Sequence, residues 1–325
     1  MKKYDVVIVN LNGEKILKSC LRSVYNSSVV PEKVIVYDNN SSDRSTELIR
    51  NNYPEVKLIC SKKNIGFGGG NNEAMKYAQS DYILFMNNDL ILDKHCAENL
   101  IGFLNDKKVV VANPLIYKGW EKRKNQPIYA SGAVLERSGF NYALYDLDGD
   151  RQDLNCFSGA CFMACTNIVK DLKFEKRYFL YYEEPEMTCR MLKQSMKIGR
   201  SLDAKCYHLE NYSSPKEGAK GVAFRQFHSI QNKWYMFGKH WPITALFPAV
   251  ILNYIHLGVV SLFFLRHGQF NSLRLIYLAP YKLISGMVNR DRTKIIDRRW
   301  YQKLEKYSFG KYLGLGKKVF SKKNG

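Results

Sequence analysis

The sequence predicts an α/β fold, a mainly parallel sheet flanked by helices, continued by a helical and basic C-terminal extension. Three observations carry that expectation. Between residues 4 and 86, short β-branched runs alternate with apolar positions at helical spacing, the pattern of strands joined by crossover helices. The runs end in polar clusters, as strands do where they leave a sheet. The net charge of +20 is uneven: residues 211–325 hold 20 Lys and Arg against 4 Asp and Glu, which leaves +4 for residues 1–210.

Taken in order, residues 4–9 and 33–37 read as strands. Between them Ile16, Leu17, Cys20, Leu21 and Val24 recur at helical spacing and predict a helix over Lys15–Tyr25. The pattern continues with a helix over Ser45–Asn52, a strand over Val56–Cys60, a helix over Gly70–Gln79 and a strand over Tyr82–Met86. Residues 109–150 read as short strands and an excursion containing Tyr and Gly. Phe157–Ala164 reads as a buried strand. The apolar Tyr178–Tyr182 leads into Glu183-Glu184-Pro185-Glu186, where Pro185 suits the first turn of a helix. The expected boundary between the α/β domain and the extension is near residue 210.

Composition supports a folded, intracellular chain. Hydrophobic residues make up 46% of it, enough for a sizeable core. The eight cysteines form no CxxC pair, and several fall in apolar runs where a thiol acts as a small hydrophobe, so a reducing cytosol fits best. Val6-Val7-Ile8-Val9 is too short an apolar stretch for a signal sequence, and a cytoplasmic location is expected. Trp241–Leu265 contains no Asp, Glu, Lys or Arg and is long enough to cross a bilayer, but Pro248, Asn253 and His256 interrupt it. Leu273–Val288, broken by Arg274 and Lys282, resembles an amphipathic surface helix. The expectation is peripheral attachment to an anionic membrane surface, ahead of a buried helical hairpin and of a true span. Long apolar segments within the basic tail argue against a nucleic-acid partner.

Ligands of such a sheet gather at the carboxyl ends of its strands. Those ends read Asn10-Leu11-Asn12-Gly13, Asp38-Asn39-Asn40-Ser41-Ser42-Asp43, Ser61-Lys62-Lys63-Asn64 and Asn87-Asn88-Asp89. Asp38 could accept from a base or ribose donor, although a capped turn is the commoner meaning of such a cluster. Asn64-Ile65-Gly66-Phe67-Gly68-Gly69-Gly70-Asn71-Asn72 reads as a glycine-rich bend before a helix, able to offer amides to an anion or to be only a flexible turn. As a dinucleotide fingerprint it is poor, because Asn71 stands where the third glycine belongs and the segment follows the third strand. Asp89 places a carboxylate where a hard cation binds. His208 alone is more often a packed residue than a ligand. Glu183, Glu184 and Glu186 are either an exposed helix start or acids delivered to a pocket, one of them as general base.

Taken together, Val6–Gly13, Val36–Asp43, Asn64–Asn72 and Asn87–Asp89 resemble family-two glycosyltransferases, especially bacterial rhamnosyltransferase-like members. The resemblance covers roughly residues 4–210 and takes in Ser158-Gly159-Ala160, Phe179–Arg190 and His208. It implies a GT-A fold, with a nucleotide-sugar part over about 1–110 and an acceptor part over about 111–210. It further implies an inverting reaction and a divalent cation, Mg2+ or Mn2+. By position, Asp38 would contact the nucleotide base and Asn64 and Asn71 the nucleotide region. Asp89 would hold the metal, with His208 a second metal or diphosphate contact. The family's Glu-Asp-x-Asp segment stands here as Glu183-Glu184-Pro185-Glu186, which puts Glu184 at the catalytic-base position with an arm one methylene longer. Asn10, Asn12, Asn40, Gly66, Asn88 and Glu183 complete the substrate-binding candidates. The implied activity moves a sugar from dTDP-rhamnose or a UDP-hexose to a saccharide or lipid-linked acceptor, in cell-surface polysaccharide synthesis at the inner face of the membrane. The competing readings are a noncatalytic sugar-binding or assembly protein and, more distantly, a basic nucleic-acid-binding protein; Asp89 and Glu184 favour activity.

Overall fold

A computed structural model describes residues 2–119, 126–145, 147, 149–209, 219–290 and 299–306. The alternating half of the chain gives β1 (Tyr4–Asn10), α1 (Leu17–Tyr25), β2 (Lys33–Asp38), α2 (Ser45–Asn52) and β3 (Lys57–Cys60). It continues with α3 (Gly66–Ala74), β4 (Tyr82–Asn87), the short β5 (Leu90–Leu92) and α4 (Cys96–Lys107). Strands β3, β2, β1 and β4 lie side by side and parallel, with Val7 opposite Ile35 on one flank and Phe85 on the other. Successive side chains point to opposite faces. Val6 and Ile8 therefore pack with Leu17, Leu21 and Val24 of α1 and Leu100 of α4, while Val7, Ile35 and Phe85 pack with Ala74, Phe174, Met187 and Met191. Burial on both faces is why β1, β2 and β4 read as continuous apolar runs, whereas the edge strand β3 is half-exposed.

The rest of the sheet is mixed. It adds β6 (Val111–Lys118), β7 (Ile128–Ala130), β10 (Arg151–Leu154), β11 (Cys161–Cys165) and β12 (Ile198–His208), after a separate two-stranded sheet of β8 (Ala133–Leu135) and β9 (Asn141–Ala143). β11 is antiparallel to both β4 and β6, and β6 runs parallel to β12. Helices α5 (Thr166–Leu172) and α6 (Glu183–Lys193) lie between β11 and β12 in the chain.

Three expectations change. The glycine-rich segment is not a bend before a helix but the helix itself: α3 begins at Gly66 and ends at Ala74, where a helix from Gly70 to Gln79 was expected. Glycine costs a helix about 1 kcal/mol per residue relative to alanine, so contacts outside the helix must hold it. The strand expected over Phe157–Ala164 is confined to Cys161–Cys165, because Ser158–Ala160 forms a turn fixed by Asn113. α4, buried through Cys96, Ala97, Leu100, Ile101 and Leu104, was not anticipated.

The two apolar tail segments form α8 (Ile243–Arg266) and α9 (Leu275–Val288), preceded by α7 (Ala219–His240). The described residues divide into two compact units, one within 2–134, 141–209 and 299–300, the other 135–140, 219–290 and 301–306. In the second unit, Trp241 Nε1 donates to Arg137 O at 2.8 Å and Asn253 Nδ2 to Ser138 O at 2.8 Å. Gly139 has φ +75°, and a β-carbon there would fall 2.3 Å from the Phe237 ring. Phe140 lies under Lys233 Nζ, 3.6 Å from the ring centroid, and edge-on to His256. Burial pushes Lys233 down to about 7.

Candidate active site

The carboxyl ends of β1, β2 and β4 carry an interlocked polar network. Asn10 is fully buried at the end of β1, and its Nδ2 lies 2.9 Å from Asp38 Oδ1, 3.0 Å from Ser45 Oγ and 3.2 Å from Ser41 Oγ. Its Oδ1 accepts from Asn88 Nδ2 at 2.8 Å. Asp38, also buried, accepts from the Ser41 amide at 2.9 Å and the Ser41 hydroxyl at 2.6 Å. The capped turn is thus real, and Asp38 holds it through both carboxylate oxygens. Asn12 and Asn40 are exposed, with φ of 52° and 69°, and Asn12 Oδ1 accepts from the Ser42 amide at 2.8 Å.

Asn39, not singled out from the sequence, clamps the start of α3. Its Oδ1 accepts from the Ile65 amide at 2.8 Å and its Nδ2 donates to Gly66 O at 3.1 Å. The exposed Asn64 accepts from the Gly66 amide at 2.9 Å, and the Phe67 amide donates to Phe179 O at 3.1 Å. Three successive amides are therefore engaged by protein acceptors, and the anion contacts expected of this segment do not come from them. The glycines serve close packing instead. Gly66, at φ +80°, has no room for a β-carbon against Phe179 O, and one at Gly68 would lie 3.2 Å from Glu183 Cγ. Asn71, buried, donates to Phe67 O at 3.1 Å.

The three acids at the start of α6 have three different environments. Glu186 is fully buried and paired with Arg190 at 2.7 Å, and Arg190 also donates to Leu172 O and Lys173 O. Glu183 is buried, with no hydrogen-bond partner for Oε1 among the described residues; burial and the neighbouring Glu184 charge push its carboxyl well above the usual range. Glu184 is only partly buried, and desolvation pushes it up to about 7. Two left-handed residues, Tyr181 at φ 69° and Tyr182 at φ 73°, turn the chain into this helix. Such strain costs on the order of 1–3 kcal/mol per residue and persists where surrounding structure fixes it; here Tyr178 and Tyr182 are buried.

Glu184 lies over the Ser158–Ala160 turn, where Gly159 leaves room for its carboxylate. Asn113, missed from the sequence, sets this turn: its Nδ2 donates to Ser158 O and Cys161 O, and its Oδ1 accepts from the Ser158 amide. A buried Asn inside the apolar run Val109–Ile116 was the available signal. The same turn holds the end of β4, since the Asn87 amide donates to Ala160 O at 2.9 Å.

Beyond β4, Asp89 and His208 meet from positions 119 residues apart, with Oδ1 and Nε2 3.0 Å apart and both side chains almost wholly buried. β5, which follows Asp89, pairs antiparallel with β12, and Leu90 is opposite His208. Among the described residues, His208 Nδ1 is buried without a hydrogen-bond partner. Asp89 Oδ1 and His208 Nε2 are the donors that would hold a divalent ion here. Among the described residues no group of three or more His, Cys, Asp or Glu converges on a metal site. A cavity of about 540 Å³ lined by Lys33, Glu55, Lys57 and Tyr77 lies at the amino ends of β2 and β3, away from these residues.

The family model for glycosyl transferase family 2 matches residues 5–172, just over half of the chain, and spans the network around Asn10, the α3 clamp and Asp89. The chain belongs to this family. This family-two glycosyltransferase is similar to the hexosyltransferase Agl10 of low-salt glycan biosynthesis in Haloferax volcanii, at 24% identity over 60% of this chain and 64% of the relative. It is equally similar to the O-antigen chain rhamnosyltransferase WbaN of Salmonella anatum, at 24% identity over 63% of this chain and 64% of the relative. It therefore spans somewhat less than two thirds of the length of each of these relatives. Among solved structures, S. aureus TarS in complex with UDP matches with a TM-score of 0.50 at 17% identity, over 74% of this chain and 67% of that one. GalNAc-T7 with UDP, GalNAc and Mn2+ matches with a TM-score of 0.56 at 14% identity, over 73% of this chain and 50% of that one. The fold of the family-two chain is GT-A.

Proposed function

We propose that this chain is an inverting, metal-assisted glycosyltransferase that carries a sugar from a nucleotide diphosphate to a saccharide or lipid-linked saccharide. The observation that carries the reading is the division of labour among the acids of α6. Glu186 is committed to Arg190 and Glu183 is buried, which leaves Glu184, the one of the three residues only partly buried, its affinity for protons raised by desolvation to about 7. Glu184 takes the proton of the acceptor hydroxyl as its oxygen bonds to the anomeric carbon. The bond from that carbon to the diphosphate oxygen breaks on the opposite side with its electron pair, so configuration inverts. Asp89 and His208 would hold the cation, which supplies charge neutralisation for the departing diphosphate. Asp38 and the residues around it hold the nucleotide end of the crevice, with Asn12, Asn40 and Asn64 at its exposed edge.

The relatives named for O-antigen and glycan synthesis support a dTDP-rhamnose or UDP-hexose donor and an acceptor in cell-surface polysaccharide synthesis. The basic, apolar tail supports work at the inner face of the membrane, without a nucleic-acid partner. Calorimetric titration with a panel of UDP- and dTDP-sugars, with and without Mn2+, tests the reading. Metal-dependent binding of one donor, followed by its transfer to a lipid-linked saccharide, is the expected result. No binding of any nucleotide sugar would leave a noncatalytic protein.

A further inference from the structure

Helix α8 has two apolar faces, and only one of them is used inside the protein. Leu246, Ala249, Asn253, Leu257, Val260 and Phe264 are buried. Eight large residues on the other side are exposed: Ile243, Phe247, Ile251, Tyr254, Ile255, Val259, Leu262 and Leu265. At about 100° per residue these eight fall within an arc of roughly 160°, centred away from the buried arc. Ile243, Phe247 and Leu262 are 73%, 74% and 64% exposed, far more than scattered apolar residues on a soluble surface explain. Helix α9 adds a shorter stripe of Tyr281, Ile284 and Val288 in the same unit.

The charge around this face selects its occupant. From Ala219 to Arg290 the chain has eight Lys and Arg and no Asp or Glu. A stripe of aliphatic and aromatic side chains on a purely cationic segment matches an anionic phospholipid surface, to which each nearby cation adds attraction. A second copy of the same segment would bring like charges together.

We infer that α8 lies in the plane of an anionic bilayer, its exposed stripe sunk among the acyl chains, and does not cross it. By length and composition α8 could span a membrane. Its middle forbids that. Asn253 is bonded to Ser138 O, Phe140 packs on His256, and Trp234 of α7 packs on Tyr254. A crossing helix would carry Arg137, next to Ser138, and Lys233, which lies over Phe140, to the depth of the hydrocarbon, where ionisable side chains are costly and rare. Lying flat leaves those groups on the protein side and satisfies both faces of α8. This inference rests on the membrane part of the reading above and is independent of the sugar-transfer chemistry.

The experiment uses the full chain with phosphatidylcholine vesicles containing or lacking phosphatidylglycerol. Wild type should sediment with the anionic vesicles, and the double variant Phe247→Asp, Ile255→Asp should lose at least about tenfold in partitioning while keeping its circular dichroism and donor binding. Single Trp replacements at Ile243, Ile251 and Leu262, quenched by lipids brominated at graded depths, should report one shallow depth. Deep quenching at Ile251 with shallow quenching at both ends would establish a span and overturn the inference. Undiminished binding of the double variant would overturn it while leaving membrane attachment standing through another segment. Wild type that ignores anionic vesicles would remove both. So would a wild-type dimer that the double variant converts to monomer without any vesicle binding, since the occupant would then be a second copy.

Discussion

Glu184 Oε1 occupies the space that a side chain at Gly159 would need: a β-carbon there would fall 1.5 Å from it, and 2.6 Å from Glu184 Cδ. Glu184 and the turn beneath it are therefore one fitted pair, although 25 residues separate them in the chain. Gly159→Ala should push the carboxylate out of place and lower turnover by roughly 10²-fold, the scale of an ångström of misplacement. Donor affinity should change little, because Asp38 and Asp89 lie on other elements. Single-turnover rates beside donor titration check this. A Gly159→Ala enzyme of wild-type rate would mean that Glu184 does no chemistry in the position described.

The contrast among the three acids gives a second prediction. Glu184→Gln keeps size and removes basicity, and turnover should fall by about 10²–10⁴-fold with donor binding retained. Glu186→Gln should act on stability instead, because it leaves the Arg190 charge buried without its carboxylate; a loss of roughly 3–5 kcal/mol is the usual scale. Glu183→Gln should cost less turnover than Glu184→Gln, because its buried carboxyl already tends to the neutral form. Thermal melts and acceptor kinetics on the three variants separate these outcomes. A larger turnover loss at Glu183 than at Glu184 would move the base.

Strands β1, β2 and β4 were legible because burial on both faces leaves a plain signal, an apolar run ending in Asn or Asp. Helix α3 was not, because propensity opposes it and its stability comes from Asn39, Phe179 and the close approach of glycines to Val9, Tyr37 and Phe174. Those contacts are long-range and leave no local pattern. The separate environments of Glu183, Glu184 and Glu186 were equally hidden, since Arg190 at i+4 could as well have made an exposed surface pair. Glu184's place at the base position came from resemblance, and its partial exposure came from the fold. Likewise the apolar stretch of α8 was visible in the sequence, but only its packing shows that Asn253 pins its middle.

Asp89 and His208 should act together on the cation. Asp89→Asn and His208→Gln should each weaken Mn2+-dependent donor binding by roughly tenfold or more, and the double variant should lose little beyond either single one, the behaviour of residues sharing one ligand. In EDTA the three variants and wild type should bind the nucleotide with similar weak affinity. Calorimetry with UDP and dTDP, in Mn2+ and in EDTA, provides the comparison. If neither substitution alters the Mn2+ dependence, the 3.0 Å contact is a structural hydrogen bond and no more.

The proton affinity of Glu184 fixes how both rate and stability should move with pH, in opposite directions. As a base it works only when ionised, so acceptor transfer by the free enzyme should rise with pH through about 7 and level off above it. Stability follows the other sign. The folded protein holds this proton up to about 7, whereas an unfolded chain releases it near 4.5. The stabilisation from the bound proton is present in full below about 4.5 and is lost as pH rises through about 7. At pH 8 the ionised carboxylate should therefore cost the fold on the order of 1–3 kcal/mol that Glu184→Gln does not incur. Denaturant melts of wild type and Glu184→Gln at pH 5 and pH 8 should show the variant gaining on wild type at the higher pH, even as its transfer rate falls far below. A stability difference that stays constant between the two pH values would show that Glu184 ionises as a solvated acid. The neutral-pH limb of the rate profile would then belong to another group.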